Sequence, residues 1–217
     1  MINLVKQSRA LSVLLVVTVL IGSTGCIGTL AQLLYVVKGH KSPAVFDGME
    51  GKRVAVVVVS DASAYGPDTL TYSVSKIVSM DLQNNVKDIA VVSPAEIEEW
   101  MDTKDWDQTN FKDLGRGVGA DLVLAVEVGS YTIHEGTTLY KGQSELSVSV
   151  HEMETGNILF SQGPDAYVFP TNGRPAIQTT PRQFEQMYLS KLTTKVSRLF
   201  YPHDRLDSVA EDASMPF

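Results

Sequence analysis

Val54-Ala55-Val56-Val57-Val58-Val59 is an unbroken apolar run of strand length, almost wholly β-branched and closed by Ser60-Asp61. β-Branched side chains favour extended backbone, and a run without polar alternation has no face to give to water. Both faces must therefore be covered. The run belongs in the middle of a sheet with helices packed against it, which sets the fold class before any other segment is read.

The segments that follow supply those helices. Leu70, Val74, Ile77, Val78 and Leu82 recur at helical spacing, with Asp68 after Pro67 as the expected N-cap. Ile89 to Val92 reads as a short strand, and Ser93-Pro94-Ala95-Glu96 combines a capping box with proline at the first helical position. A further helix fits Thr109 to Val118, with Gly119 as its terminating residue. Leu122 to Val128 is again apolar and strand-like.

From there the pattern turns to strand after strand. Leu146, Val148 and Val150 alternate with Ser147, Ser149 and His151, which gives a strand with one face toward solvent or a thin cover. Glu154-Thr155-Gly156-Asn157 reads as a hairpin turn and Ile158-Leu159-Phe160 as the returning strand. Pro164, Pro170 and Pro175 make the next segment a loop. Thr180-Pro181-Arg182-Gln183 then caps a helix whose stripe runs from Phe184 through Met187, Tyr188, Leu192 and Val196 to Phe200. The expectation is an α/β (α+β-like) domain over residues 52–201, with one mixed sheet of about five strands in the order β-α-β-α-α-β-β-β-α. Residues 38–51 read as a linker, and the acidic residues 202–217 as a disordered tail.

That order, with Gly119-Ala120-Asp121-Leu122-Val123-Leu124 and the strand-turn-strand from Val148 to Phe160 containing Glu154-Thr155-Gly156, resembles a domain shared by three envelope groups. They are the curli-secretion lipoprotein family, the lipoprotein activators of penicillin-binding proteins and the N-terminal domain of the Tol-system translocation protein. The resemblance covers roughly residues 51–162. It implies an envelope-facing scaffold or adaptor, and it assigns no functional residue, because the shared motifs are structural punctuation. The sequence shows no long amphipathic hairpin of the kind that a membrane-spanning channel needs.

The N-terminus points to the same compartment. Lys6 and Arg9 precede an apolar stretch from Leu11 to Gly22, and Ser23-Thr24-Gly25 leads into Cys26, the only cysteine. This is the pattern of a bacterial lipoprotein signal, with residues 1–25 removed, Cys26 lipidated and residues 26–51 left as anchored segment and linker. Apolar character resumes over Ile27 to Val37, so an uncleaved signal anchor is the competing reading. In either case the chain is tethered with its body exported. Ile27 after the cysteine favours the outer membrane.

Charge narrows the partners. The chain carries 18 Lys+Arg against 25 Asp+Glu, and loss of residues 1–25 removes Lys6 and Arg9 but no acid. Nucleic acid is excluded, since phosphate neutralisation needs clustered cations. A single cysteine excludes an internal disulfide.

Motifs of catalysis are present only in fragments. Tyr72-Ser73-Val74-Ser75-Lys76 matches both Tyr-x-x-x-Lys and Ser-x-x-Lys patterns. The first chemistry needs a glycine-rich turn after the first strand, where this chain has Ser60-Asp61-Ala62-Ser63; the second needs Ser-Asp-Asn and Lys-Thr-Gly, which do not occur. His40, His134, His151 and His203 stand in different elements without a second ligand at metal spacing, so no metal or other cofactor is expected. Asp61, Ser63 and Asp68 follow the carboxyl end of the first strand, where open α/β sheets place ligands. The plainer reading is that they satisfy loop amides and cap the next helix. Tyr131 and Tyr140, placed opposite each other by a turn centred on Glu135-Gly136, are candidates for a partner-binding tip or for a simple cross-strand pair. The function expected is that of a non-catalytic, membrane-anchored periplasmic adaptor or assembly factor binding an envelope protein. The alternative is a signal-anchored envelope protein with a small-molecule or hydrolytic site near Asp61.

Overall fold

The computed structural model describes residues 41–61, 69–104, 106, 110–175 and 179–204. They fall into two units, one of which joins the two chain ends and the other of which spans Pro43–Pro202. In the first, β1 (Lys41–Ser42) pairs antiparallel with β7 (His203–Asp204), with Lys41 opposite Asp204.

The second unit is built on a five-stranded sheet. In chain order its elements are β2 (Arg53–Ser60), α1 (Thr69–Asn85), β3 (Ala90–Val91), α2 (Pro94–Lys104), α3 (Phe111–Gly117), β4 (Leu122–Glu135), β5 (Leu139–Glu152), β6 (Ile158–Pro175) and α4 (Pro181–Ser197). The strand order is β3-β2-β4-β5-β6. β2 is parallel to β3 and β4, while β4, β5 and β6 form antiparallel pairs. The mixed sheet and the order of its elements are those expected.

The apolar run of β2 behaves as its composition requires. Val54, Ala55, Val56 and Val57 are at most 1% exposed, because helices cover both faces. On one face lie α1 and α4: Leu70, Val74, Val78 and Leu82 of α1 are buried, as are Phe184, Tyr188, Leu192 and Val196 of α4. Ser75 Oγ donates to the Val56 carbonyl at 2.9 Å, which ties α1 to the sheet. Thr180 caps α4, its Oγ1 accepting from the Gln183 amide while Gln183 Oε1 accepts from the Thr180 amide. On the other face α2 and α3 bring Ile97, Phe111, Leu114 and Val118 against Ala55, Val57, Val123 and Ala125. Gly119, with φ +65, ends α3 in the left-handed conformation that glycine adopts without penalty. Asp68, the expected N-cap, and Thr109 lie outside the described residues.

Several boundaries differ from the reading of the sequence. The segment assigned to a linker is pinned to the domain: the Val45 and Phe46 amides both donate to the Leu199 carbonyl, Met49 is fully buried, and the Phe46 ring packs against Phe160 and Phe200. Its Pro and Gly content masked two apolar anchors, Phe46 and Met49. The domain thus begins near Pro43 rather than residue 52. At the other end, within the segment 202–217 expected to be a disordered tail, His203 and Asp204 are strand, and residues 205–217 lie outside the described residues. The proline-bearing segment read as a loop is the continuation of β6. β6 is an edge strand, where a missing N–H is tolerated, and the ladder with β5 shifts register between Leu146 and Val148 and again between Tyr140 and Gly142, near Pro164 and Pro170. The β4–β5 hairpin, with 14 residues in each strand, is longer than the sequence suggested.

Candidate functional site

The α2–α3 layer does not reach across the sheet. α3 has only seven residues, and its Phe111 and Leu114 cover Val123 and Ala125 of β4. Beyond them the same face continues as ladder pairs Ala125↔Ser149, Glu127↔Ser147 and Gly129↔Glu145. No described helix covers this half, and it forms a groove of about 860 Å³. Ser147, Ser149 and Ser161 line its floor, Asp61, Glu127 and Glu145 its walls, and Val59, Phe111, Ile158 and Pro164 supply apolar edges.

Its electrostatics are one-signed. Ion pairs among the described residues include Arg53–Glu96, Lys141–Glu135 and those of Lys87 with Glu50 and Asp88, and none of these engages Asp61, Glu127 or Glu145. All three carboxylates are exposed. His151, at the α3 end of the groove, packs on the Phe111 ring at 5.1 Å and shares a hydrogen bond with Ser149 Oγ at 2.9 Å. Burial holds its pKa below 6.5, and the Glu127 carboxylate partly opposes that shift. The imidazole is therefore largely uncharged at neutral pH and does not offset the carboxylates.

A Ser–His contact invites a nucleophile reading, but the surrounding backbone does not complete it. Ser149 pairs with Ala125 on one side and Ser161 on the other, so the amides of β5 are spent in two ladders instead of being aimed at a developing oxyanion. Among the described residues no group of three His, Cys, Asp or Glu is placed to hold a metal ion. What the arrangement can do is present carboxylates and hydroxyls to a chain or molecule laid across the open strands.

Of the residues singled out from the sequence, Asp61 lines this groove at the end of β2, and its Oδ2 accepts from the Ser130 amide at 3.3 Å. Ser63, Asp68 and Cys26 lie outside the described residues. Tyr131 and Tyr140 are not opposed. Gly136 adopts φ +66 and the loop spans Gly136 to Thr138, so Tyr140 pairs with His134 and Glu135 with Leu139. Both rings turn to α4: Tyr140 stacks on Phe184 at 5.3 Å and is 7% exposed, while Tyr131 packs against Tyr188 at 5.9 Å and donates its hydroxyl to Glu185 Oε1 at 3.2 Å.

Glu127, Glu145 and His151 were not recognised as one site. A signal existed: Glu127 is the one charge within the apolar run Leu122–Val128, and Glu145, Ser147, Ser149 and His151 share a parity along β5. What the sequence did not carry was the parallel and antiparallel registers that bring the two strands' polar positions together.

No protein-family model matches the chain, and no curated protein does. Solved structures to which it is similar include lipoprotein GNA1162 from Neisseria meningitidis, at 14% identity over 67% of this chain and 97% of that one, with a TM-score of 0.44. The PelC dodecamer from Paraburkholderia phytofirmans is 14% identical, covering 74% of this chain and 96% of its own, with a TM-score of 0.42. The LpoB C-terminal domain from Salmonella enterica is 16% identical over 56% of this chain and 85% of its own, with a TM-score of 0.37.

Proposed function

We propose that this chain is a non-catalytic, membrane-tethered protein of the bacterial envelope that binds a partner protein through the open half of its sheet. The observation that carries the reading is the groove beyond α3, whose exposed Asp61, Glu127 and Glu145 have no ion-pair partner among the described residues and whose floor is hydroxyl-rich. A surface with this charge selects a segment that presents Lys or Arg, with the apolar edges at Phe111 and Ile158 adding contact. The signal-like segment before Cys26 supports the tether and the compartment, with lipid on that cysteine and the outer membrane as destination.

The test is affinity capture of the full chain, cross-linked in cells and solubilised in detergent, beside a Glu127→Gln/Glu145→Gln variant. Loss of a stoichiometric partner from the variant, with its melting temperature unchanged, supports the reading. Equal capture by both chains rejects the groove as the binding surface. The same preparation yields the mature N-terminus by mass spectrometry: a diacyl or triacyl Cys26 supports lipidation, and an intact Met1 establishes the signal anchor instead.

Asp61 within the groove also keeps a small-molecule reading in view. It predicts that Asp61→Asn removes a ligand-dependent rise in melting temperature while partner capture persists.

A further inference from the structure

We infer that the segment seated in the groove is the outer face of α4 from a second copy of this chain, so that molecules stack head to tail. The inference rests on the reading of the groove as a protein-binding surface and names its occupant. The helical layer stops at α3, and beyond it no described helix lies over the polar half of β4 and β5. An apolar helix laid there would strand the hydroxyls of Ser147, Ser149 and Ser161 and the exposed carboxylates of Glu127 and Glu145 without hydrogen-bond partners. A polar, cationic helix face suits the site.

Among the described helices, charge singles out α4. α2 is acidic, with Glu96, Glu98, Glu99 and Asp102 against Lys104, and α1 balances Lys76 with Asp81. α3 carries Lys112 and Arg116 against Asp113, but it already borders the groove through Phe111. α4 and its C-cap carry Arg182, Lys191, Lys195 and Arg198 against Glu185, in a chain whose net charge is −7. The Lys191 and Lys195 ammonium groups lie over the rings of Phe169 and Tyr167, 6.0 and 4.9 Å from their centroids, which sets both on the β6 side of the helix.

The spacings agree as well. Glu127 pairs with Ser147 across the ladder and Gly129 with Glu145, so the two carboxylates stand on one diagonal, about 7–8 Å apart by strand geometry. One helical turn sets the two lysines about 6 Å apart. Within one molecule these pairs cannot meet. Glu145 and Ser147 face the groove, while the alternate residues Leu146 and Val148 line a crevice with Lys195 and Val196 on the opposite face of the sheet. A contact between opposite faces of identical chains is heterologous and repeats from copy to copy.

The test uses the full chain in detergent micelles beside two charge-reversed variants, Glu127→Lys/Glu145→Lys and Lys191→Glu/Lys195→Glu, each checked by its melting curve. In sedimentation velocity over a concentration series the parent should associate and each variant alone should run as a monomer. A mixture of the two variants should recover association, because the groove of each then matches the α4 of the other. Carbodiimide coupling of mixed nitrogen-15-labelled and unlabelled parent chains should join Glu127 or Glu145 of one isotope to Lys191 or Lys195 of the other. A parent that stays monomeric, a variant that still associates alone, or a mixture that stays apart overturns the self-docking. The groove is judged separately by capture from cross-linked cells. A foreign protein held by the parent and lost from Glu127→Gln/Glu145→Gln replaces the second copy as occupant and leaves the groove its binding role, whereas equal capture by both chains removes that role and the self-docking with it.

Discussion

Tyr188 is fully buried at the centre of the α4 face, and removing its hydroxyl should cost more than removing the group it bonds. Its ring lies between Tyr167 and Tyr131, at 5.7 and 5.9 Å, and above Gly142, where a side chain would collide with it. The hydroxyl shares a 2.7 Å hydrogen bond with Ser144 Oγ and donates to the Tyr167 carbonyl at 3.3 Å. Burial pushes the phenol pKa up to about 12, with the Ser144 bond opposing. Ser144 is 4% exposed. Tyr188→Phe leaves its hydroxyl buried without that partner, a penalty of about 1–3 kcal/mol. Ser144→Ala removes one bond while Tyr188 keeps the Tyr167 carbonyl, a loss of about 0.5–1.5 kcal/mol. The double variant orphans nothing, so it should be less destabilised than the sum of the two singles, with a coupling on the order of 1 kcal/mol. For a unit spanning Pro43–Pro202, 1 kcal/mol corresponds to about 2–4 °C in melting temperature. Equilibrium urea unfolding of all four proteins measures the cycle, with equal slopes confirming comparable denatured states. Strict additivity, or a Tyr188→Phe midpoint equal to that of the parent, refutes the reasoning.

Leu192→Asp should abolish cooperative unfolding at pH 7, since Leu192 is fully buried and its loss removes about 2–5 kcal/mol of packing before a carboxylate is desolvated; an unchanged calorimetric melt would show that the α4 stripe is not core. Gly142→Ala should lower the melting temperature by several degrees, because the new Cβ meets the Tyr188 ring, and the combination with Tyr188→Leu should recover part of the loss. His151 should titrate by NMR with a midpoint below 6.5, and lower still in Glu127→Gln, where the opposing carboxylate is gone. Because the folded state disfavours its protonation, stability linked to this group is complete above pH 6.5 and falls as the pH drops below it; a midpoint at or above 6.5 contradicts the burial of the ring.

The fold was legible wherever periodicity and burial coincide. Val54 to Val59, the α1 stripe and the capped α4 each carry their environment in their own residues, and each took its expected place. The failures came where a tertiary neighbour supplied what local composition lacked. Residues 43–49 look like a linker until Phe160, Phe200 and the Leu199 carbonyl are brought to them. The prolines of β6 look like loop signals until β5 pairs with the strand around them. The candidate site was legible only in part: Asp61 was found from its place after β2, while Glu127 and Glu145 required the register of β4 on β5. The tyrosine pair failed on a turn whose three-residue length was not encoded by the single glycine used to centre it.

The prolines of β6 also bear on crowding. A chain held on a membrane, as proposed here, meets its own copies at a high two-dimensional concentration, where any unpaired strand edge is a potential seam. Among the described residues β6 is such an edge, 18 residues long. Pro164 and Pro170 offer no amide to a neighbour, and the ladder slips beside each of them. A second molecule sliding alongside would lose its register at each proline before it could zip up, so β6 resists edge-to-edge pairing.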